Sequence, residues 1–256
     1  MPMPRKAPTV AQRRAARAGT HPPPVTRATT ARAPLTRERI LDAALAQIDR
    51  DGLPAFSLRG LGAALGCEPM SLYHYFPSKA HLQDALVDTA LASLLTDSGD
   101  TDPLDRLRAM AQSYRALARR HPKLFPLIAV HRLNTPTGVR VIEQLLTLVH
   151  SAIDDERLAA QYFRVLSYYV TGAALDETAG YAKGPSAAEP VSDAYIAENC
   201  PRLASAARYH QSDWWNSTFE LGLESLLAAM RARSSAGHPP DTIPAAPPKP
   251  VIHPKR

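Results

Sequence analysis

Apolar residues recur every three or four positions through most of the sequence, and this spacing predicts amphipathic helices. The sequence shows no alternation of strand and helix patterns and no internal repeat. The first helix is expected to begin at Thr36 and to end at Gly52 and Pro54. Its buried face comprises Ile40, Leu41, Ala44, Leu45 and Ile48. The pattern therefore predicts an all-α protein.

The stretch from Phe56 to Lys79 predicts two short helices joined by a tight turn. Ser57 is a suitable N-cap for the first of them. Gly66 stands where a residue with positive φ is needed to end that helix. Pro69 suits the first position of the second helix. These signals together predict a helical hairpin.

The second helix of this hairpin has two unlike sides. Leu72 and Phe76, four residues apart, are expected to face the core, which points Met70, Ser71 and His74 away from it. Such a helix can enter the major groove of DNA while its partner helix crosses the backbone. Helical hairpins are also common in ordinary protein cores, so the spacing alone leaves both interpretations open.

The run LYHYFPSKAHLQDAL over residues 72–86, preceded by SLRGLGAALG, resembles the N-terminal domain of the TetR family of transcriptional regulators. The similarity extends from about Thr36 to Leu86, roughly a fifth of the chain. It implies that Tyr73 and Lys79 hold the DNA backbone and favours a DNA contact for Arg59. The candidate DNA-contacting residues are Arg59, Pro69, Met70, Ser71, Tyr73, His74, Tyr75 and Lys79.

The candidate base-reading side chains are not those of strong bidentate readout, which uses Arg, Lys, Asn or Gln. Met70 can contact a thymine methyl group, Ser71 either kind of base, and His74 a guanine acceptor. Ser78 is a suitable N-cap for a fourth helix. Lys79 then falls in the first turn of that helix, where a cation opposes the helix dipole. This placement of Lys79 indicates that the lysine binds an anion that is not part of the helix. The operator sequence cannot be predicted from these residues.

Two later helices, at about residues 155–180 and 213–230, are apolar on nearly every side. A helix without a polar face is buried all round, so one side is expected to face the core and another a second subunit. Pairing about a two-fold axis would form a four-helix interface, and the family resemblance implies the same homodimer. Between them, residues 181–201 predict a mobile loop with one helical turn.

The resemblance also implies a small-molecule site within the helices of the second half of the chain. Aromatic side chains with polar tips are the kind of surface that ligand cavities use. For each such residue, a place in the core or the subunit interface is the alternative. The candidate ligand-binding residues are Tyr114, His131, Tyr168, Tyr169 and Trp214.

Charge and proline divide the chain into segments. Residues 1–36 carry seven basic and no acidic residues, so this segment accounts for the formal net charge of +6. Such an arm can add phosphate or minor-groove contacts, or it can simply be solvated. Four segments are predicted: a disordered basic arm over 1–35, a helix–turn–helix domain over 36–82, a ligand-binding and dimerisation domain over 83–233, and a disordered Pro-rich tail over 234–256.

Several classes of protein are disfavoured. The sequence has no P-loop, no GxSxG and no HExxH motif, and its nine histidines lack metal-ligand spacing. No catalytic residue, metal or cofactor is therefore expected. No apolar run reaches the ~18 residues of a membrane span, and the two cysteines give no disulfide framework. A cytoplasmic location without a membrane partner is expected.

The function expected from these observations is that of a homodimeric, DNA-binding transcriptional regulator with a near-palindromic operator in double-stranded DNA. The resemblance favours a repressor that a small-molecule effector releases from the operator. One alternative is an activator with the same DNA module. The other is a helical dimer that binds ligands or partner proteins and no longer uses DNA.

Overall fold

The computed structural model describes residues 34–95, 102–131, 135–179 and 191–235. Within these ranges every regular element is an α-helix or a short 3-10 helix, which confirms the predicted all-α class. All the elements given below belong to one compact unit that begins at Leu35. The predicted basic arm over 1–35 and the Pro-rich tail lie almost wholly outside the described residues.

Four helices form the first part of this unit. They are α1 (Arg37–Asp51), α2 (Leu58–Leu65), α3 (Pro69–Tyr73) and α4 (Lys79–Ala92). The second part contains α5 (Pro103–Arg120), α6 (Phe125–His131), α7 (Pro136–Ala152), α8 (Glu156–Ala179), α9 (Asp193–Asn199), α10 (Pro201–Ala206) and α11 (Trp215–Ser235). Two 3-10 turns, Ala207–His210 and Ser212–Trp214, precede α11. Of the helices in the described ranges, none combines the length and hydropathy needed to cross a bilayer.

Local side-chain chemistry sets the ends of the first helices. The hydroxyls of Thr36, Ser57 and Ser78 each accept a hydrogen bond from the backbone N–H three residues further on, at the starts of α1, α2 and α4. Gly66 ends α2 in the left-handed region, with φ of 62°, and Pro69 opens α3. These caps and stops are the ones that the sequence predicts.

The apolar side of α4 joins the two parts of the molecule. Its N-terminal half packs on a core formed by Ile40, Ala44, Ile48, Phe56, Leu61, Leu72, Phe76 and Leu82. Further along the same helix, Leu86, Val87 and Leu91 are also buried, as is Leu94 two residues beyond its end, where α4 contacts α6 and α7. Full burial of one such side chain is worth about 1.5–3 kcal/mol, so α4 is held firmly at both ends.

A buried ion pair connects α5 with α8. Arg115 Nη2 lies 2.6 Å from Glu177 Oε1, and both side chains are less than a tenth exposed. The other carboxylate oxygen of Glu177 accepts from Arg119 Nε at 2.9 Å. The guanidinium of Arg115 also lies 4.3 Å from the ring centroid of Phe219 on α11. Helical periodicity gives no sign of this network.

The segment between α8 and α11 holds more helix than the sequence analysis predicts. A loop with one helical turn was expected over 181–201; α9 forms about two turns within it, α10 begins only at its last residue, Pro201, and residues 181–190 lie outside the described residues. Ser192 caps α9, and Pro201 opens α10. Neither helix buries a residue. The predicted single turn was too short because these local start signals were given less weight than the Gly, Pro and acid content.

Candidate DNA-binding surface and ligand cavity

Helices α2 and α3 approach each other at Gly62. A Cβ atom at this position would lie 2.9 Å from the carbonyl oxygen of Cys67 and 3.3 Å from the backbone nitrogen of Pro69. Both neighbours are backbone atoms, so they cannot move aside without shifting the turn. Glycine is thus required for the close packing that fixes the angle of α3 against α2.

The two sides of α3 differ in burial as the spacing predicts. Leu72 and Phe76 are only 1% and 2% exposed and face the core. Met70 is 69% exposed and Tyr73 is 43% exposed, and His74 is also exposed. A short helix of the described unit therefore presents an apolar, an aromatic and an imidazole side chain to solvent. Their contact with DNA stays a prediction.

Tyr75 ties the end of α3 to the chain before α1. Its hydroxyl donates to the carbonyl oxygen of Leu35 at 2.6 Å. In return, Arg37 donates to the carbonyl oxygen of Tyr75 at 3.1 Å, and its guanidinium lies 4.2 Å from the ring centroid of Phe76. The sequence predicts only a DNA contact for Tyr75, whereas in the structure its hydroxyl has an internal partner.

Lys79 also has an internal partner. Its ammonium donates to the carbonyl oxygen of Phe56 at 2.6 Å and lies 5.2 Å from the centroid of the Phe56 ring. These two contacts with Phe56 therefore compensate for the unfavourable position of a lysine in the first turn of α4. An ammonium group has three N–H donors, so a phosphate contact by the same residue stays a prediction.

The remaining candidates lie beside these residues on the hairpin. Arg59 is exposed in the first turn of α2, while Pro69 and Ser71 are half-buried in α3. All eight candidate DNA-contacting residues thus belong to α2, α3, the residues that follow α3, and the first turn of α4.

A cavity of about 70 Å³ lies among α4, α5, α7 and α8. No acidic, basic or histidine side chain is among its lining residues, and the polar lining side chains are the hydroxyls of Tyr114, Ser167 and Thr171. The lining residues are Leu91, Leu94, Leu107, Met110, Ala111, Tyr114, Gly138, Val141, Ile142, Leu145, Phe163, Leu166, Ser167, Val170 and Thr171.

Of the five candidate ligand-binding residues, Tyr114 lines this cavity, and its ring packs edge-on against Phe125 at 5.2 Å between centroids. The other four are not part of the lining. His131 Nδ1 lies 3.3 Å from Asp84 Oδ1, between α6 and α4. Tyr168 and Trp214 are 63% and 45% exposed.

Tyr169, the fourth of these, crosses from α8 to α11. Its hydroxyl donates to the carbonyl oxygens of Phe219 and Thr218 at 2.8 and 3.1 Å, and its ring stacks on that of Phe219. Burial raises the pKa of Tyr169, so the hydroxyl stays protonated as a donor. Tyr169 therefore packs two helices together and is not one of the residues that line the cavity.

Sequence reasoning missed most of the cavity lining, including the hydroxyls of Ser167 and Thr171. The two residues are four apart, so they lie on one side of α8, interleaved with the buried Leu166 and Val170. Small polar residues on an otherwise buried side of a helix were the feature of the sequence that could have indicated this part of the lining. Only the packing of four helices shows that a cavity lies in front of them.

Polar contacts connect the cavity walls with α4 and α1. The backbone N–H of Thr137, in the first turn of α7, donates to Asp88 Oδ1 on α4 at 2.7 Å. Beyond the end of α5, His121 Nδ1 lies 2.8 Å from Asp49 Oδ2 on α1. Lys123 donates to the carbonyl oxygen of Arg50 at 2.6 Å. Movements of α5 or α7 would therefore act directly on α1 and α4.

A hairpin with an exposed second helix, joined through α4 to a helical part with a cavity, is the architecture of one-component helix–turn–helix regulators. Residues 40–86 match the family model for bacterial regulatory proteins of the tetR family. Residues 96–234 match the model for the tetracyclin repressor-like C-terminal domain. The chain belongs to the TetR family, which confirms the resemblance seen in the sequence.

Individual relatives agree with this assignment. The HTH-type transcriptional repressor DrrR1 of Streptomyces coeruleorubidus is 34% identical over 143 residues, which cover 55% of this chain and 53% of that protein. The tetracycline repressor protein class C of Escherichia coli is 25% identical over 77% of this chain and 90% of that protein. The match thus spans about half the length of the first of these relatives.

A solved structure extends the comparison over most of the chain. ActR of Streptomyces coelicolor, in complex with actinorhodin, superposes with a TM-score of 0.61 and 27% identity. The superposition covers 79% of this chain and 100% of the ActR chain. The two parts of the fold described above are therefore found together in a related protein.

Proposed function

We propose that the protein is a homodimeric transcriptional repressor that binds an operator through α3 and is released by a small-molecule effector. The observation that carries this proposal is the position of α4, which supports the hairpin at its N-terminal end and lines the cavity with Leu91 at its C-terminal end, next to Leu94 just beyond the helix. The repressor DrrR1, which this chain resembles, supports repression over activation. A cytoplasmic location is part of the proposal.

The exposed side of α3 supplies the base contacts, with Met70 and His74 pointing into the major groove. Tyr73 and Arg59 contact phosphates beside it, and Lys79 adds a phosphate contact while it keeps its bond to Phe56. Because the charges between residues 36 and 82 cancel, five against five, positive charge alone does not hold this module on DNA. Shape and specific contacts carry the binding instead.

The dimer interface is formed by α8 and α11. Val165, Tyr168 and Leu221 on these helices are 46%, 63% and 71% exposed in the single chain. Apolar side chains exposed together on adjacent helices mark an interaction surface. A two-fold axis through this surface makes a four-helix interface and presents two copies of α3 to grooves about 34–36 Å apart.

Release follows from the limited room in the cavity. An effector that enters between α4, α5, α7 and α8 favours a wider arrangement of these helices, and α4 transmits the difference to the hairpin. Asp88, one turn before Leu91, links α4 to the first turn of α7, where Gly138 lines the cavity. The effector lowers the affinity for DNA by an amount set by how much more tightly it binds the wider state than the narrower one.

Selection of genomic fragments by the purified full-length protein at physiological salt tests the proposal. We expect enrichment of a two-fold symmetric site with half-sites one helical turn apart. Weak, sequence-independent binding that disappears when residues 1–35 are deleted would contradict it, because the basic arm would then be the only DNA contact. Tight binding of apolar molecules with no DNA binding at all would favour the ligand-binding dimer instead.

A further inference from the structure

We infer that the effector is an uncharged, predominantly apolar molecule with one hydrogen-bonding group placed against Ser167 and Thr171. This inference rests on the proposed function, since it concerns the ligand of the same cavity. The lining supplies no charged side chain and three hydroxyls. An ionised group taken from water into such a site would lose its hydration without gaining a counter-charge, which costs far more than burying a neutral group.

The hydroxyls of Ser167 and Thr171 locate the polar end of the effector. Within the described residues, neither hydroxyl forms a hydrogen bond. Thr178, two turns further along the same helix, shows the usual alternative, because its hydroxyl donates to the carbonyl oxygen of Ala174 at 2.6 Å. Two unused hydroxyls on one side of α8 therefore remain free to bond a ligand.

The small volume of the cavity means that binding of an apolar effector also requires the surrounding helices to move. A dry apolar cavity of about 150 Å³ holds a benzene molecule, and this cavity has about 70 Å³. A ring-containing effector therefore enters only when the walls separate. Leu91 at the C-terminal end of α4 and Leu94 just beyond it are among the walls that such a ligand can displace, which is the change that the proposed release requires.

A second hollow, of about 380 Å³, carries acidic side chains but does not alter this inference. It is lined by Tyr168, Asp176, Glu177 and Trp215, among others, and so lies on the side of α8 and α11 proposed to meet the partner subunit. The carboxylate of Glu177 is already bonded to Arg115 and Arg119. A second copy of the chain covers this surface in the proposed dimer.

Two fluorescent probes with the same ring skeleton test the inference. N-phenyl-1-naphthylamine is neutral, and 1-anilinonaphthalene-8-sulfonate adds one sulfonate. We expect the full-length protein to bind the neutral probe at least about tenfold more tightly, because the sulfonate finds no counter-charge in the cavity. Equal or tighter binding of the sulfonate would overturn the inference.

Three variants assign the binding to this cavity. Ala111→Leu fills the wall and is expected to weaken binding of the neutral probe at least about tenfold, while Ala116→Leu, exposed on the same helix, leaves it unchanged. The double variant Ser167→Ala, Thr171→Val removes both hydroxyls and is expected to weaken it by about three- to tenfold. Unchanged binding in folded Ala111→Leu or in the double variant would overturn the inference.

Operator binding separates the two proposals. If the neutral probe is preferred but no operator is selected, the repressor function fails and the ligand chemistry stands. If an operator is selected and the sulfonate probe is preferred, the ligand chemistry fails and the repressor function stands. Should Ala111→Leu not fold, the double variant alone decides, since it leaves the packing volume nearly unchanged.

Discussion

Gly62 shows how a single residue sets the position of α3, the helix proposed to read DNA. Two effects oppose each other when alanine replaces it. Alanine favours the helix by up to about 1 kcal/mol, but its methyl group would lie 2.9 Å from a backbone oxygen. No side-chain movement relieves that contact, so the steric effect is the larger. The angle of α3 therefore depends on the absence of a Cβ atom at this position.

The variant Gly62→Ala is expected to lower the free energy of unfolding by about 1–3 kcal/mol and to weaken operator binding. Gly60→Ala in the same helix is the matched control, since its Cβ would meet the amide end of the Gln47 side chain at 2.8 Å. That side chain can move, so a change within about 1 kcal/mol is expected. Urea-induced unfolding and operator titration measure both. Equal effects of the two substitutions would contradict this account.

Lys79 has an internal bond and a proposed phosphate contact, and these roles are separable. Lys79→Met keeps the aliphatic stem and removes the bond to the Phe56 carbonyl, so the free energy of unfolding is expected to fall by about 1.5–3 kcal/mol. If Lys79 also contacts a phosphate, the slope of log affinity against log salt falls by about one. Salt titrations of operator binding decide this, and an unchanged slope would leave only the internal role.

At the scale of elements, α5 is held to its neighbours by ion pairs of two kinds. Glu177 on α8 is buried with Arg115, while Glu224 on α11 pairs with Arg108 at the surface, where both partners are partly exposed. Breaking a buried pair leaves an uncompensated charge, whereas exposed pairs contribute little. The junction of α5, α8 and α11 therefore depends mainly on Glu177.

Glu177→Gln is expected to lower the free energy of unfolding by about 3–5 kcal/mol, whereas Glu224→Gln lowers it by no more than about 1 kcal/mol. Arg108 holds the pKa of Glu224 below its ordinary value. The small contribution of that pair is thus present at neutral pH and is lost as the pH falls through the lowered pKa. Urea-induced unfolding at neutral pH tests the difference, and equal losses for both variants would contradict it.

Elements with local signals were predicted well from the sequence, while their contacts were not. The caps at Thr36, Ser57 and Ser78 and the stop at Gly66 need only neighbouring residues, so α1 to α4 were placed closely. The bonds from Tyr75 to Leu35 and from Lys79 to Phe56 join residues that are 40 and 23 positions apart. Such contacts form only when the helices pack, and the spacing of apolar residues in the sequence does not predict them.

The cavity lies beyond sequence reasoning for the same reason. Its lining comes from four helices, and most of it consists of aliphatic residues that also suit an ordinary core. Aromatic residues with polar tips were therefore favoured, and of the five chosen, Tyr114 is the one on the lining. Tyr169 has the aromatic ring and polar tip that are typical of a ligand contact, yet its hydroxyl is hydrogen-bonded to the α11 backbone.

At the scale of the whole molecule, α4 joins the exposed helix α3 to a cavity of about 70 Å³. In the proposed dimer each subunit reads one half-site, so sequence-specific binding requires both subunits. The exposed apolar residues of α8 and α11 are the proposed surface for this dimer. We expect Leu221→Glu, a charge on that surface, to yield monomers in sedimentation experiments and to lose operator binding. A dimer that persists with this substitution would contradict the proposed interface.

Equilibrium binding of the full-length protein and of Tyr73→Ala to the selected operator and to a scrambled duplex, at physiological salt, tests the central claim most directly. The account predicts that the unchanged protein prefers the operator by about 10³-fold or more. Tyr73→Ala is predicted to lose at least about tenfold in operator affinity, while Tyr195→Ala, exposed on α9, loses none. Equal affinity for both duplexes, or full operator affinity in Tyr73→Ala, would contradict DNA reading by α3.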